Sequence, residues 1–326
     1  YGLYHGIVIG SKFYNKGVTF NKLNLELKPL YSSQEKTLVG SLGGSYTFQN
    51  EGKINFRTQL GISASSYFYN KKYRYQILVP RISFYFRTPD LRSNKRHYLN
   101  LFYYDVKREG FIDADPNYKI FNLRHNFTNR NAIYDINTES SFQVSNQFSK
   151  VDFTAVLRKL LTNGRQLGIR LFAGKFLWHN QTATNFFDFN LVRPKDYLFR
   201  YNYFGRSESE GIFSQQIVMA EGGFKSSPTT SSANQYLLAA NLTLGIWKWF
   251  EAYADLGLIK NRNIKAKSFF GSGVRLNIVT DYLEIFFPIY SSNGFAFDKS
   301  PYEHKIRFIL TVNSNQLFTL FSRKWF

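Results

Sequence analysis

No cysteine occurs in this chain, which excludes a disulfide framework and any thiolate metal site. Proline is sparse, with eight in 326 residues, and methionine occurs once. No stretch of about 18 apolar residues runs without a charge or a polar cluster, so a helical membrane span is excluded. Nor does the sequence open on a basic start, an apolar run and a small-residue cleavage site, the pattern of a signal peptide. Acidic residues are outnumbered: 22 Asp and Glu face 42 Lys and Arg, a formal charge of +20. What abounds is aromatic. With 34 Phe, 23 Tyr and 4 Trp, 19% of the chain, disorder is excluded and a soluble core is oversupplied.

Tyr1 starts the sequence and its one methionine, Met219, lies deep inside it. We therefore expect a processed product or one part of a longer polypeptide.

The dominant pattern has a period of two. In 54–62, Ile54, Phe56, Thr58, Leu60 and Ile62 alternate with Asn55, Arg57, Gln59 and Gly61. Leu167, Ile169, Leu171 and Ala173 oppose Gly168, Arg170, Phe172 and Gly174. The same holds for Phe250 to Leu258 and Ile306 to Val312. Successive side chains of a strand point to opposite faces, so each segment has one greasy and one polar face.

This reading predicts strands near 1–13, 18–31, 37–49, 54–69, 73–87, 97–108, 118–128, 132–148, 150–161, 166–179, 196–205, 212–225, 234–247, 250–261, 268–280, 282–291 and 304–313. The weak assignments are 1–13 and the region 180–205. Turn residues separate many of the others, among them Asn50-Glu51-Gly52, Asn163-Gly164 and the Ser/Thr/Pro run 226–233. Single-chain bacterial barrels usually have even strand numbers, so about sixteen is expected, within 14 to 18. No helical segments alternate with the strands, which excludes a βαβ parallel sheet.

Two all-β architectures compete. Strands of soluble sandwiches average five or six residues, whereas most of these run 10 to 16. About 9–11 residues cross a bilayer at a tilt. Aromatics near strand ends, such as Trp178, Trp247 and Trp249, match the interfacial girdles of a membrane barrel. A closed barrel also leaves no backbone group unsatisfied in hydrocarbon. The expected fold is thus an antiparallel transmembrane β-barrel over 1–313, followed by a tail over 314–326. In the tail, Phe318, Phe321 and Trp325 fall at helical spacing beside Arg323 and Lys324, as in a short interfacial amphipathic segment ending on Phe326.

Several stretches resemble one family. LYHGIVIGSKFYNKG (3–17), LELKPLYSSQEKTLVGSLGGSYTF (25–48), GRQLGIRLFAGKF (164–176), DYLFRYNYFGRSESEGIFSQQIVMAEGGFKS (196–226) and IRFILTVNSNQLFTLFSRKWF (306–326) are similar to a Bacteroidota group. In that group an aminopeptidase-N-like metallopeptidase domain precedes a C-terminal outer-membrane barrel. The most specific pieces are the Gly-Arg-Ser-Glu-Ser-Glu-Gly run at 205–211, the Glu-Gly-Gly-Phe-Lys run at 221–225 and the Lys-Trp-Phe ending. The resemblance covers only the barrel. The family's chemistry rests on a His-Glu-x-x-His zinc helix, and no such motif occurs here, so no catalytic residue carries over.

The residues by themselves offer little chemistry. The five histidines, His5, His97, His125, His179 and His304, lie at least 28 positions apart, whereas zinc ligands commonly come in close pairs. No Gly-x-Ser-x-Gly elbow is present for a serine nucleophile. Glu208 and Glu210 flank Ser209 in a turn-like run, where solvated acids are usual. Gly271-Ser272-Gly273 lacks the third glycine of a dinucleotide loop and sits in strand pattern. No catalytic residue, metal site or cofactor is therefore assigned, and the chain is expected not to be an enzyme.

The charge is more informative. Its basic residues are scattered rather than massed on one element, which argues against nucleic acid as a partner. Arg57, Arg170, Arg275, Lys305 and Arg307 occupy the polar phase of strands, and Glu251, Asp255 and Glu284 share it. A basic side chain facing lipid costs about 2–4 kcal/mol at mid-bilayer, so these eight should face the lumen. There they either pair across strands and fill the interior or line a water channel. Other cations, such as Lys71, Lys72, Arg92 and Lys265, cluster near strand ends, where lipid phosphates or lipopolysaccharide would be partners.

These readings converge on a non-catalytic outer-membrane barrel of a Gram-negative cell. As the resemblance implies, it would anchor or scaffold an upstream peptidase-like domain, or serve in a complex with other outer-membrane proteins or lipoproteins. A porin or gated transporter with a charged lumen is the alternative, and a membrane-embedded hydrolase a third.

Overall fold

The computed structural model describes residues 4–15, 21–90, 92–110, 117–180, 185–201, 210–228, 230–298 and 301–311. Its strands are β1 (Val8–Gly10), β2 (Phe13–Tyr14), β3 (Leu23–Ser32), β4 (Thr37–Gln49), β5 (Asn55–Asn70), β6 (Tyr73–Arg87), β7 (Lys95–Arg108), β8 (Asn117–Arg130), β9 (Tyr134–Ser145) and β10 (Phe148–Leu160). There follow β11 (Gln166–His179), β12 (Phe189–Asn190), β13 (Ser232–Ala233), β14 (Tyr236–Trp247), β15 (Phe250–Lys260), β16 (Lys267–Val279), β17 (Leu283–Ser291), β18 (Gly294–Phe295) and β19 (Arg307–Leu310). Two single 3-10 turns, Ile212–Gln215 and Tyr302–Lys305, are the only helical pieces among the described residues. None of these is long and apolar enough to cross a membrane.

Seventeen strands form one antiparallel sheet, and β12 with β13 makes a separate two-stranded piece. Each long strand pairs with the next in sequence, from β3 through to β11, then from β14 to β17. At the two ends, β1 and β2 both pair with β3, while β18 and β19 both pair with β17. This up-and-down meander is the architecture of an antiparallel transmembrane β-barrel. Tight turns close it on one rim, as at Gly164, whose φ of +74° suits a residue without a Cβ. The opposite rim carries the long links β7–β8, β11–β14 and β17–β19. We call these the turn rim and the loop rim.

The two faces are inverted relative to a soluble protein. Leu23, Leu25 and Leu27 of β3, and Leu238, Leu242, Leu244 and Ile246 of β14, alternate outward and are exposed. Facing inward and buried are Asn122 and Arg124 of β8, Ser141 and Gln143 of β9, Lys150 of β10 and Asn241 of β14. An apolar exterior around a polar interior is what hydrocarbon outside and a lumen inside select. Trp178 stands exposed at the loop rim, and Trp247 and Trp249 at the turn rim, so the aromatics mark both edges. Trp325, Phe326 and the expected tail lie outside the described residues.

Two expected strands are corrected. The described part of 196–205 and the span 212–225 form no strand of the sheet, meeting it in backbone pairing only at the single bridge of Gln216 with Phe308; together with 185–195 they fold into its concave side. Pro194 and the left-handed backbone at Asp196, Phe199 and Glu221 break any extended run there. Hydrophobic residues in this segment are buried from several directions, so their alternation did not report one sheet face. The last expected strand, 304–313, begins as a 3-10 turn and pairs only over β19.

Candidate functional site

The described parts of the link between β11 and β14, residues 185–201 and 210–228, lie inside the curled sheet and touch walls far apart in sequence. Phe199 stacks on Tyr75 of β6, with ring centroids 3.8 Å apart and planes 14° from parallel. Tyr197 donates its hydroxyl to Gln143 of β9 at 2.6 Å, and its carbonyl accepts from Tyr118 of β8 at 2.5 Å. On the far side, Ile217 N–H donates to the Phe308 carbonyl of β19 at 2.9 Å. A segment that reaches both β6 and β19 occupies the lumen.

Its firmest attachment is the run Glu221-Gly222-Gly223-Phe224-Lys225. The Glu221 carbonyl accepts from Arg170 Nη1 at 2.7 Å, and its carboxylate accepts from the Asn190 N–H at 2.5 Å. A Cβ on Gly222 would come 2.5 Å from the Leu191 backbone, so only glycine permits this approach. Phe224 is fully buried, and Lys225 Nζ meets Asp255 Oδ1 at 2.7 Å with both side chains at most 1% exposed. Asn241 joins the parts: it accepts from Arg170 at 2.9 Å and donates to Asp255 at 2.9 Å and to Gly222 O at 3.0 Å. Removing one partner of such a buried ion pair costs about 3–5 kcal/mol, because the other charge is left uncompensated.

A second attachment uses Lys150 of β10. This ammonium, 1% exposed, donates to the Phe187 carbonyl at 2.7 Å. The rings of Phe148, Phe176, Phe189 and Tyr197 surround it at 4.4 to 5.1 Å. Ring faces carry partial negative charge and replace part of the lost hydration.

Between these attachments lies a cavity of about 250 Å³. Lys150, Arg170 and Arg200 line it together with Glu139, Asp152, Asp196 and Glu221. Arg200 and Arg124 both approach Glu139 at 3.5 Å. Burial pushes the Glu221 carboxyl up to about 7 and that of Asp188, near the same wall, up to about 6. Such a mixed set of charges fixes the segment in place. Among the described residues, no group of three or more His, Asp or Glu is placed to hold a metal ion.

Of the eight residues expected in a lumen network, the structure brings together five, in two clusters. Arg275 pairs with Glu251 and, at 2.9 Å, with Glu284, and Asn277 donates to Glu251 at 2.7 Å. Arg170 and Asp255 meet through Asn241. The other three sit apart. Arg57 lies over the Tyr85 ring at 3.9 Å, Lys305 donates to Ala296 O at 2.5 Å, and Arg307 donates to Ser227 Oγ at 2.8 Å. Sequence reasoning missed Lys150, Asp152, Glu221 and Lys225. The available signals were Pro194 and the adjacent pair Gly222-Gly223, both hostile to a central strand.

No protein-family model matches the chain, and no curated protein matches its sequence.

Proposed function

We propose that the chain is a non-catalytic outer-membrane β-barrel whose lumen is closed by its own β11–β14 segment. Its role is to anchor a domain encoded upstream in a Gram-negative outer membrane, alone or in a complex with other outer-membrane proteins or lipoproteins. The observation that carries the closed lumen is the buried latch of Lys225, Asp255, Asn241 and Arg170, which binds the segment to the wall. The anchoring role rests on the resemblance of 196–226 and 306–326 to barrels that follow a metallopeptidase-like domain. In planar bilayers the wild-type chain is expected to be electrically silent. A steady porin-sized conductance overturns the closed reading, and a full reading frame without an upstream domain overturns the anchoring one.

One observation favours the second reading, a gated transporter. A cavity of about 580 Å³ lies between Leu198–Arg200 and the wall of β3 to β7, where Ser41, Gly43, Ser45, Ser63 and Ser65 face inward. Removing residues 185–228 opens that side if the barrel is a gated pore. A barrel that stays silent after this deletion eliminates the transporter.

A further inference from the structure

The outer face of β3 to β7 carries a trough of about 440 Å³ near the loop rim. Its floor is made by outward-pointing small residues on adjacent strands, Gly40 of β4 with Ala64 and Ser66 of β5. Register sets them side by side, since Gly40 lies opposite Ser66, and Leu42 opposite Ala64. Its walls are Leu27 and Leu42 on one side and Leu78 on the other, all between 41% and 52% exposed. Between these leucines the small residues make a depression in an apolar surface.

Lys28 of β3 lines the trough, and two further cations stand at its loop-rim end. Arg74, the second residue of β6, and Lys107, the next-to-last residue of β7, stand there with Gln76. Arg74 is held over the trough by donating to Ser66 Oγ and, at 3.0 Å, to the Leu38 carbonyl. A guanidinium has five N–H donors, so this fork retains donors for an anion. Asp105 is the one acid lining the trough, and Lys119 lies directly opposite it across the β7–β8 ladder. An apolar slot that ends in cations at strand-end level matches an acyl chain joined to a phosphate.

We infer that this trough is a binding site for a phosphate-bearing membrane lipid, with an acyl chain over Gly40, Ala64 and Ser66 and the phosphate on Arg74 and Lys107. The inference rests on the reading of the chain as a membrane barrel. Anionic headgroups meet Arg and Lys favourably at a membrane surface, and here Arg74 is held in place by Ser66 and the Leu38 carbonyl with Lys107 lining the same end.

The test uses the full chain refolded into detergent micelles and titrated with phosphatidylglycerol, with retained lipid counted by native mass spectrometry. Wild type is expected to retain one tightly held phospholipid. The double substitution Arg74→Gln with Lys107→Gln keeps the side chains long and should weaken retention about thirty-fold, equivalent to about 2 kcal/mol at about 1.4 kcal/mol per tenfold. Ala64→Leu fills the floor and should remove the lipid while leaving the cations in place. Ala240→Leu, outward on the opposite wall, should retain it. Diacylglycerol, which lacks the phosphate, should bind no better to wild type than to the double variant. Retention that no substitution changes, or equal retention of diacylglycerol, overturns the site. Insertion into phosphatidylglycerol vesicles is scored in parallel: a wild-type chain that does not insert overturns both this inference and the barrel reading, whereas one that inserts without a variant-sensitive lipid overturns this inference alone.

Discussion

The two sides of the lumen are built on opposite principles. Along β8 to β17 the wall meets the interior segment with large aromatics and paired charges: Phe148, Lys150, Phe172, Asp255 and Arg275 all point inward and are buried. Along β3 to β5 the inward row is Ser41, Gly43, Ser45, Ser63 and Ser65, and a cavity of about 580 Å³ stands between it and the segment. The outward rows do not share this difference, since Leu171 in the first region and Ile62 in the second are 47% and 48% exposed. Lipid imposes one requirement on the whole circumference; the segment imposes a second on only part of the interior. The filled wall therefore encodes a binding partner that happens to be covalently attached.

Several substitutions would break or sharpen that comparison. Asp255→Ala leaves Lys225 buried and unpaired, and should cost about 3–5 kcal/mol in urea unfolding of the refolded chain, with conductance appearing as the segment loosens. No acid on the open side is expected to be comparably sensitive; Glu26, whose partner Lys12 is 51% exposed, should cost at most about 1 kcal/mol when replaced by Ala. Leu171→Arg and Ile62→Arg should each impair vesicle insertion by about 2–4 kcal/mol, alike on both sides. Unequal losses there would show that the contrast extends to the exterior.

A single methyl group separates the two walls more finely. Gly257→Ala places a Cβ 2.7 Å from Leu191 and 2.8 Å from the buried Phe224 ring, and overpacking of this kind costs about 1–3 kcal/mol. Gly43→Ala meets nothing closer than 3.7 Å and should change stability by less than about 1 kcal/mol. Equal unfolding midpoints for the two variants would refute the packed and unpacked assignment.

The smallest expected effect is on pH. Burial raises the Glu221 carboxyl to about 7, above its ordinary 4.5, so the folded state holds this proton more tightly than the unfolded one. The stabilisation is fully present below about 4.5 and is lost as pH rises through about 7. Hydrogen-exchange protection of residues 185–201 and 210–228, corrected for the intrinsic pH dependence of amide exchange, should accordingly be greater at pH 5 than at pH 8, and Glu221→Gln should flatten that difference. Residues of the open wall should show no such change.

The exterior was legible in the sequence because one solvent decides it. Leu167, Ile169, Leu171 and Ala173 could be read as one face without knowing any neighbour, and the strand bounds of β4 to β11 and β14 to β17 followed with few differences. The interior was half legible. Arg275, Glu251 and Glu284 stand on three successive strands, so neighbourhood in the meander already brings them together. Lys150 and Lys225 meet partners on a segment whose path no periodicity describes. Phe199 and Phe224 are packed from more than one side, and a period-two pattern there matched the wrong element.

Both ends of the interior segment hang from the same rim, at His179 and Tyr236. Mechanically this makes the barrel one-sided. A pull on the link from the loop rim acts along the chain itself and loads Lys150, Arg170 and Asp255 in turn, like a drawer with its handle on one face.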